Sequence, residues 1–216
     1  LLLELSGEHG VARLESGLWG RFNAENLLLA AGILLAEGWP LARVAAALTD
    51  CTAPPGRMQR VPGSAGQPAV LVDFAHTAEA LGKALQAARA HCRGRLWCVF
   101  GCGGNRDSGK RGPMGRVAVE CADHVIVTDD NPRDEDSRQI IADILAGMDS
   151  RDTVQVIPDR AAAIQRAIHS AASDDVILIA GKGHEQTQTV AGVSRPFSDL
   201  AVAAAALSGA QQGQGA

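Results

Sequence analysis

The densest concentration of reactive groups in the chain is Thr128-Asp129-Asp130-Asn131-Pro132-Arg133, directly after the apolar run Val125-Ile126-Val127. The two carboxylates offer acceptors for an ammonium, and the Arg133 guanidinium offers a planar fork for a carboxylate or phosphate. A cation and an anion side by side describe a site for a zwitterion. Pro132 fixes its own φ and keeps Asn131 out of helical geometry, which holds these side chains on a stiff corner. The plainer reading is a capping turn, with Asp130 or Asn131 closing the start of the next helix.

Three more segments carry polar residues just past an apolar run: Asp73-Phe74-Ala75-His76-Thr77, the stretch from Gly101 to Arg111, and Gly181-Lys182-Gly183-His184-Glu185. His76 has the reach of a general base, a metal ligand or a phosphate contact, but only Asp73 is nearby and no zinc set is visible. Glu185 suits an ammonium, and Gly181 and Gly183 let the backbone approach a ligand closely. The Gly101 to Arg111 stretch resembles two phosphate-binding patterns and completes neither. Arg106 stands where the dinucleotide fingerprint needs its third glycine, and Arg111 stands where a phosphate loop needs a hydroxyl for magnesium. The stretch also leads into no convincing helix. Arg106, Lys110 and Arg111 still suit an anion, the alternative being a solvated basic loop.

Such residues work together only if a scaffold brings them to one edge. From residue 69 onward, short runs of Val, Ile and Leu alternate with helical patterns. The strands predicted are 69–73, 96–100, 124–128, 154–157 and 176–180, and the helices 77–91, 112–122, 137–148 and 161–172. That alternation predicts an α/β fold, doubly wound, with a mostly parallel sheet of about six strands covered on both faces. Ligands gather at the carboxyl ends of such strands, and all four polar segments fall there. A hairpin over 187–190 and 194–197 and an Ala-rich helix complete this part, with 209–216 as a flexible tail. Before it, 1–16 reads as a hairpin around Gly7-Glu8-His9-Gly10. A helix follows over 24–37, with Asn23 as N-cap and Leu27, Leu28, Ala31, Leu34 and Leu35 packed, and then a shorter helix opened by Pro40. Pro54, Pro55, Gly56, Pro62 and Gly63 mark a boundary, so the domains are taken as 1–56 and 57–208.

Composition narrows the function. A net charge of −4 and 3% aromatic residues argue against nucleic-acid partners, which want a basic surface or stacking platforms. The apolar runs are too short to insert in a membrane. Five cysteines with no C-x-x-C pair and no secretory signal read as reduced thiols in the cytoplasm. Opening on Leu1-Leu2-Leu3-Glu4-Leu5 without a methionine, the chain reads as part of a longer protein.

Taken together, the motifs resemble the Mur ligases of peptidoglycan synthesis, and among them the diaminopimelate-adding members. The matching text is Gly20-Arg21-Phe22-Asn23, Gly56-Arg57-Met58, Val72-Asp73-Phe74-Ala75-His76-Thr77, Phe100 to Asp107, Asp130-Asn131-Pro132-Arg133 and Gly181 to Glu185. The resemblance implies the end of a central ATPase domain over 1–56 and the C-terminal domain over 57–208. It implies a ligase that uses ATP and Mg2+ to make an acyl phosphate on UDP-MurNAc-L-Ala-D-Glu, which the amine of meso-diaminopimelate then displaces. Carried over by position, Arg106, Asp130, Asn131, Pro132, Arg133, Gly181 and Glu185 would bind diaminopimelate, and Arg57, Asp73 and His76 would face ATP. No metal site and no tightly held cofactor are expected in this chain, and its catalytic residues would lie mostly in a preceding part. The chain departs from the family's usual text at Gln59, Phe74, Ala78 and Asn105, which bears on the ATP contacts. The rival expectations are a sister ligase adding lysine or a folylpolyglutamate-type ligase, and a non-catalytic amino-acid-binding module.

Overall fold

The computed structural model describes residues 1–210. The predicted tail therefore falls largely outside the described residues, and its first two positions, Gly209 and Ala210, belong to a helix. The chain divides into two compact units, Leu1–Pro54 and the part from Pro55 onward.

In the first unit, β1 (Leu2–Gly7) and β2 (Gly10–Glu15) form an antiparallel hairpin, followed by α1 (Arg21–Ala36) and α2 (Leu41–Thr49). Leu5, Leu14, Leu27, Ala31, Val44 and Leu48 belong to its core. Two details differ from expectation. α1 begins at Arg21 behind Gly20, whose φ of 91° turns the chain into the helix, so Asn23 is not its cap. Asn23 is instead buried, donating to the Trp19 carbonyl at 2.7 Å and accepting from Asn26 at 3.1 Å. Of the predicted packed face, Leu27 and Ala31 are buried and Leu34 and Leu35 pack partly buried against the same core, whereas Leu28 points to solvent.

The second unit is a six-stranded sheet in the order β3-β4-β8-β5-β6-β7. Its strands are β3 (Gln59–Arg60), β4 (Ala69–Asp73), β5 (Leu96–Phe100), β6 (His124–Val127), β7 (Val154–Val156) and β8 (Val176–Ala180). β3, too short to show a period, pairs antiparallel with β4; all other pairings are parallel. β5 and β8 are buried along their whole length, as two-sided cover requires. Between the strands run α3 (Ala78–Arg89), α4 (Arg111–Cys121), α5 (Ser137–Ala146) and α6 (Arg160–Ser170). A hairpin of β9 (Thr187–Val190) and β10 (Val193–Pro196) precedes α7 (Asp199–Ala210). The core on one face joins Val70, Val72, Val99, Ile126 and Ile179 of the sheet to Ile164 and Ile168 of α6 and Leu207 of α7.

Parallel register fixes the functional geometry. Asp73 stands opposite Ala180, Phe100 opposite both Ala180 and Val127, so β4, β8, β5 and β6 end together and release their four loops at one edge. Each following helix has its own start. Thr77 caps α3 by accepting from the Ala80 amide, Asp136 caps α5 from Arg138, and Asp159 caps α6 from Ala162. The cap of α5 thus lies beyond the Asp130-Asn131 corner, whose polar groups are engaged elsewhere. α4, in contrast, opens directly after Lys110, so the loop after β5 does run straight into a helix.

Candidate functional site

The corner after β6 is built from both sides. From β8, Gly181 lies at φ 118°, and a side chain there would overlap the Asp130 carboxylate. Gly101 and Gly104 of the β5 loop press in the same way on the carbonyls of Thr128 and Pro132. These glycines let three loops touch backbone to backbone. Gly104 N donates to Asn131 O at 2.9 Å, and Arg133 Nη1 returns to Gly104 O at 2.8 Å. Arg133 itself sits at φ 55°, a left-handed conformation that a non-glycine residue holds only when its surroundings impose it.

Those surroundings include the β9–β10 hairpin. Arg133 N donates to Thr189 O at 2.9 Å, and Ala191 N donates to Arg133 O. Thr189 N donates to Asn131 Oδ1 at 2.9 Å, and Gln188 Nε2 to Asp130 O at 2.9 Å. The hairpin was legible in sequence; its docking on the corner was not, because contacts more than fifty residues apart leave no local pattern.

At the centre is Lys182, fully buried. Its Nζ donates to Asn131 Oδ1 at 3.0 Å and to Glu185 Oε2 at 2.9 Å, and lies 3.9 Å from Asp130 Oδ1. Asn131 Nδ2 donates to the same Glu185 oxygen at 2.8 Å. No sequence pattern assigns Lys182 a role, because a lysine flanked by glycines carries no local sign of burial. Arg160, at the first position of α6, was also missed. It is buried and pairs with buried Asp199 through Nε at 2.7 Å and Nη2 at 2.8 Å, while Nη2 also donates to Ala180 O at 3.0 Å and Nη1 to Asp129 O at 3.3 Å.

Of the residues predicted to bind an amino acid, Asp130, Asn131, Pro132, Arg133, Gly181 and Glu185 come together here. Arg106 is exposed on the β5 loop, its Cγ bordering the space beside Gly103. Arg111, expected among the anion-binding loop cations, is buried and already paired with Glu135 at 2.7 Å and Asp143 at 2.8 Å, so it braces α4 against α5.

The residues predicted to face ATP form a second cluster, after β4. Asp73 is turned inward: its oxygens accept from Met58 N at 2.7 Å and Ala75 N at 2.8 Å. Arg57 and His76 are exposed around Phe74, with the Arg57 guanidinium 4.9 Å and the His76 ring 4.6 Å from the Phe74 centroid. His184 lies 5.5 Å from the same ring. Gly56 and Gly183 approach too closely for any side chain between them, which joins this cluster to the β8 loop.

Electrostatics separates the carboxylates. Burial raises the Asp130 carboxyl despite Arg160 and Lys182, and burial likewise raises Asp129 and Asp73. Burial works against ionised Glu185 too, but hydrogen bonds from Lys182 and Asn131 and the charge of Arg133 outweigh it and hold Glu185 below its ordinary value. The corner therefore presents a firm anion next to a guanidinium, fit for a zwitterion. It holds no activated nucleophile: the Cys102 thiol is buried and pushed up to about 12. Among the described residues, no group of three or more His, Cys, Asp or Glu side chains stands where it would hold a metal ion, and no helix is long and apolar enough to cross a membrane.

Comparison with known proteins agrees with this architecture. Residues 56–183 match the family model described as Mur ligase, glutamate ligase domain. The chain is 52% identical over 201 residues to a UDP-N-acetylmuramoyl-L-alanyl-D-glutamate--2,6-diaminopimelate ligase of Xylella fastidiosa strain 9a5c, covering 93% of this chain and 40% of the relative. It is 52% identical over 199 residues to the ligase of the same name from Pseudomonas aeruginosa, covering 92% and 41%. A solved structure of a ligase of that name superposes with a TM-score of 0.77 at 38% identity, over 97% of this chain and 43% of that one. The chain thus spans about 40% of the length of the curated relatives it matches.

Proposed function

Because the chain belongs to the Mur ligase family, we propose that it is the amino-acid-binding portion of an ATP-dependent ligase that adds meso-diaminopimelate to UDP-MurNAc-L-Ala-D-Glu in cytoplasmic peptidoglycan synthesis. One observation carries the reading: Arg133 and Glu185, a cation and an anion, are held on one corner by Asn131 and Lys182. Diaminopimelate has two amino-acid ends. One amine reacts, so the other end brings both an ammonium and a carboxylate, whereas the side chain of lysine ends in an ammonium alone. The Arg133 fork is matched to that extra carboxylate. Glu185 Oε2 is taken by Lys182 and Asn131, so Oε1 is the oxygen an incoming ammonium would meet. The ligase names of the relatives support the same substrate.

The edge after β4 fits a nucleotide: Arg57 and His76 offer donors to phosphates or hydroxyls beside the Phe74 ring. Asp73 would act on the loop backbone, fixing Met58 and Ala75 under those side chains. ATP, when bound, would supply the phosphoryl group that activates the glutamyl carboxylate, with Mg2+ held by other parts of a full-length enzyme. The residues of this chain would orient the amine and exclude water from the activated acyl group.

Calorimetric titration of the chain with meso-diaminopimelate and with L-lysine tests the proposal. Binding of diaminopimelate alone, lost in Arg133→Ala, is the expected result. Equal binding of both amino acids, or binding indifferent to Arg133, would defeat it. The chain by itself should release no phosphate from ATP.

A further inference from the structure

We infer that Lys182 is the positioning residue of the amine-substrate corner: it sets the orientation of the Asn131 amide and the Glu185 carboxylate, so that the corner is shaped before ligand arrives. The inference rests on the reading of that corner as the diaminopimelate site and adds to it a residue that the ligand cannot touch.

An ammonium is costly to bury unless its protons find acceptors, and Lys182 is fully buried. Its acceptors are not a random sample of the loop: Asn131 Oδ1, Glu185 Oε2 and, at longer range, Asp130 all belong to the corner itself. Finally, the contacts are directional. With Asn131 Oδ1 taking protons from Lys182 and from the Thr189 amide, Nδ2 is forced to face Glu185. Lys182, with the Thr189 amide, thereby sets which end of the Asn131 amide points at the carboxylate, and Lys182 alone of the two also holds that carboxylate from the protein side.

A lysine that merely stabilised the fold would weaken stability when replaced and leave the ligand affinity of the folded protein alone. A positioning lysine predicts a different pattern. In Lys182→Met, affinity for meso-diaminopimelate should fall about tenfold to a hundredfold, the scale of one lost charge-assisted hydrogen bond. Binding of an ATP analogue at the β4 edge should not change. The loss should also become pH-dependent. Glu185 faces Lys182 and Arg133, while Asp130 faces Lys182, Glu185, Arg160 from α6 and Asp199 from α7. Without Lys182, burial at Glu185 has less opposition, so binding should be weakest at low pH and recover as pH rises.

Calorimetry of the unsubstituted chain and of Lys182→Met, across pH and with both ligands, decides. Unchanged diaminopimelate affinity and pH profile in the variant would overturn the inference and leave the proposed function standing. No diaminopimelate binding by the unsubstituted chain would overturn the proposed function, and this inference with it. If Lys182→Met does not fold, Lys182→Arg and Lys182→Gln replace it with the same two ligands. A loss of meso-diaminopimelate affinity at unchanged binding of the ATP analogue supports the role, and unchanged affinity for both ligands overturns it.

Discussion

The corner after β6 and the edge after β4 lie along the same side of one sheet, yet they are fixed by different means. At the corner, Lys182, Asn131, Glu185 and the docked hairpin interlock through buried hydrogen bonds, and the Arg160–Asp199 pair lies beneath. At the edge, Arg57 and His76 remain exposed, held by the Phe74 ring and by one bond from the His76 ring to Phe74 O. Buried polar groups are expensive to leave unpaired, so a network of them discriminates among ligands and resists distortion. Exposed cations contribute little to stability and adapt to what they meet. The two regions should therefore respond very differently to substitution.

The sharpest break comes from Arg160→Met. It leaves the Asp199 carboxylate buried without its guanidinium and frees the carbonyls of Asp129 and Ala180, a loss of about 3–5 kcal/mol. Amide exchange of β6 and β8 should accelerate accordingly. Arg57→Ala at the edge should change stability by less than about 0.5 kcal/mol. Similar losses in both variants would erase the contrast.

Next in size is Gly104→Ala. A Cβ there overlaps the Pro132 carbonyl, so backbone must move, at about 1–3 kcal/mol. The Arg133 fork, anchored on Gly104 O, should lose its position and diaminopimelate its affinity. Gly109→Ala in the same loop meets only the end of the Asp107 side chain and should be nearly silent in the same calorimetric assay.

How much of this was legible beforehand follows the range of the interactions. β4, β5 and β8 were readable because each is a short apolar run between polar loops, and the polar residues at their carboxyl ends drew attention to the corner. β3 has only two residues and no period. The burial of Lys182 and Arg160 leaves no mark in sequence, because a charged residue is ordinarily exposed and Asn131 and Asp199, which draw these two inward, are remote along the chain. Arg111 failed for the same reason: in sequence it belongs to a basic loop, in space to Glu135 and Asp143. The left-handed turn at Arg133 follows from the β9–β10 hairpin gripping both its amide and its carbonyl, which no spacing rule foretells.

The smallest expected effect is also the one that most directly compares the two regions, because Glu185 of the corner and Asp73 of the edge are shifted in opposite directions. Despite burial, hydrogen bonds from Lys182 and Asn131 hold Glu185 below the ordinary glutamate value, so its contribution to stability is present above that ordinary value and lost as pH falls through the folded pKa. Burial raises Asp73 above 3.8 despite its two backbone hydrogen bonds and Arg57; its contribution is complete below 3.8 and declines as pH rises through the folded value. Urea midpoints measured from about pH 3 to pH 7 should therefore change in opposite ways in two variants. Glu185→Gln should flatten the acid limb, and Asp73→Asn should remove the opposing slope just above it. Parallel changes would mean that the edge is locked by charge as firmly as the corner, and that exposure of Arg57 and His76 says little about how that region is held.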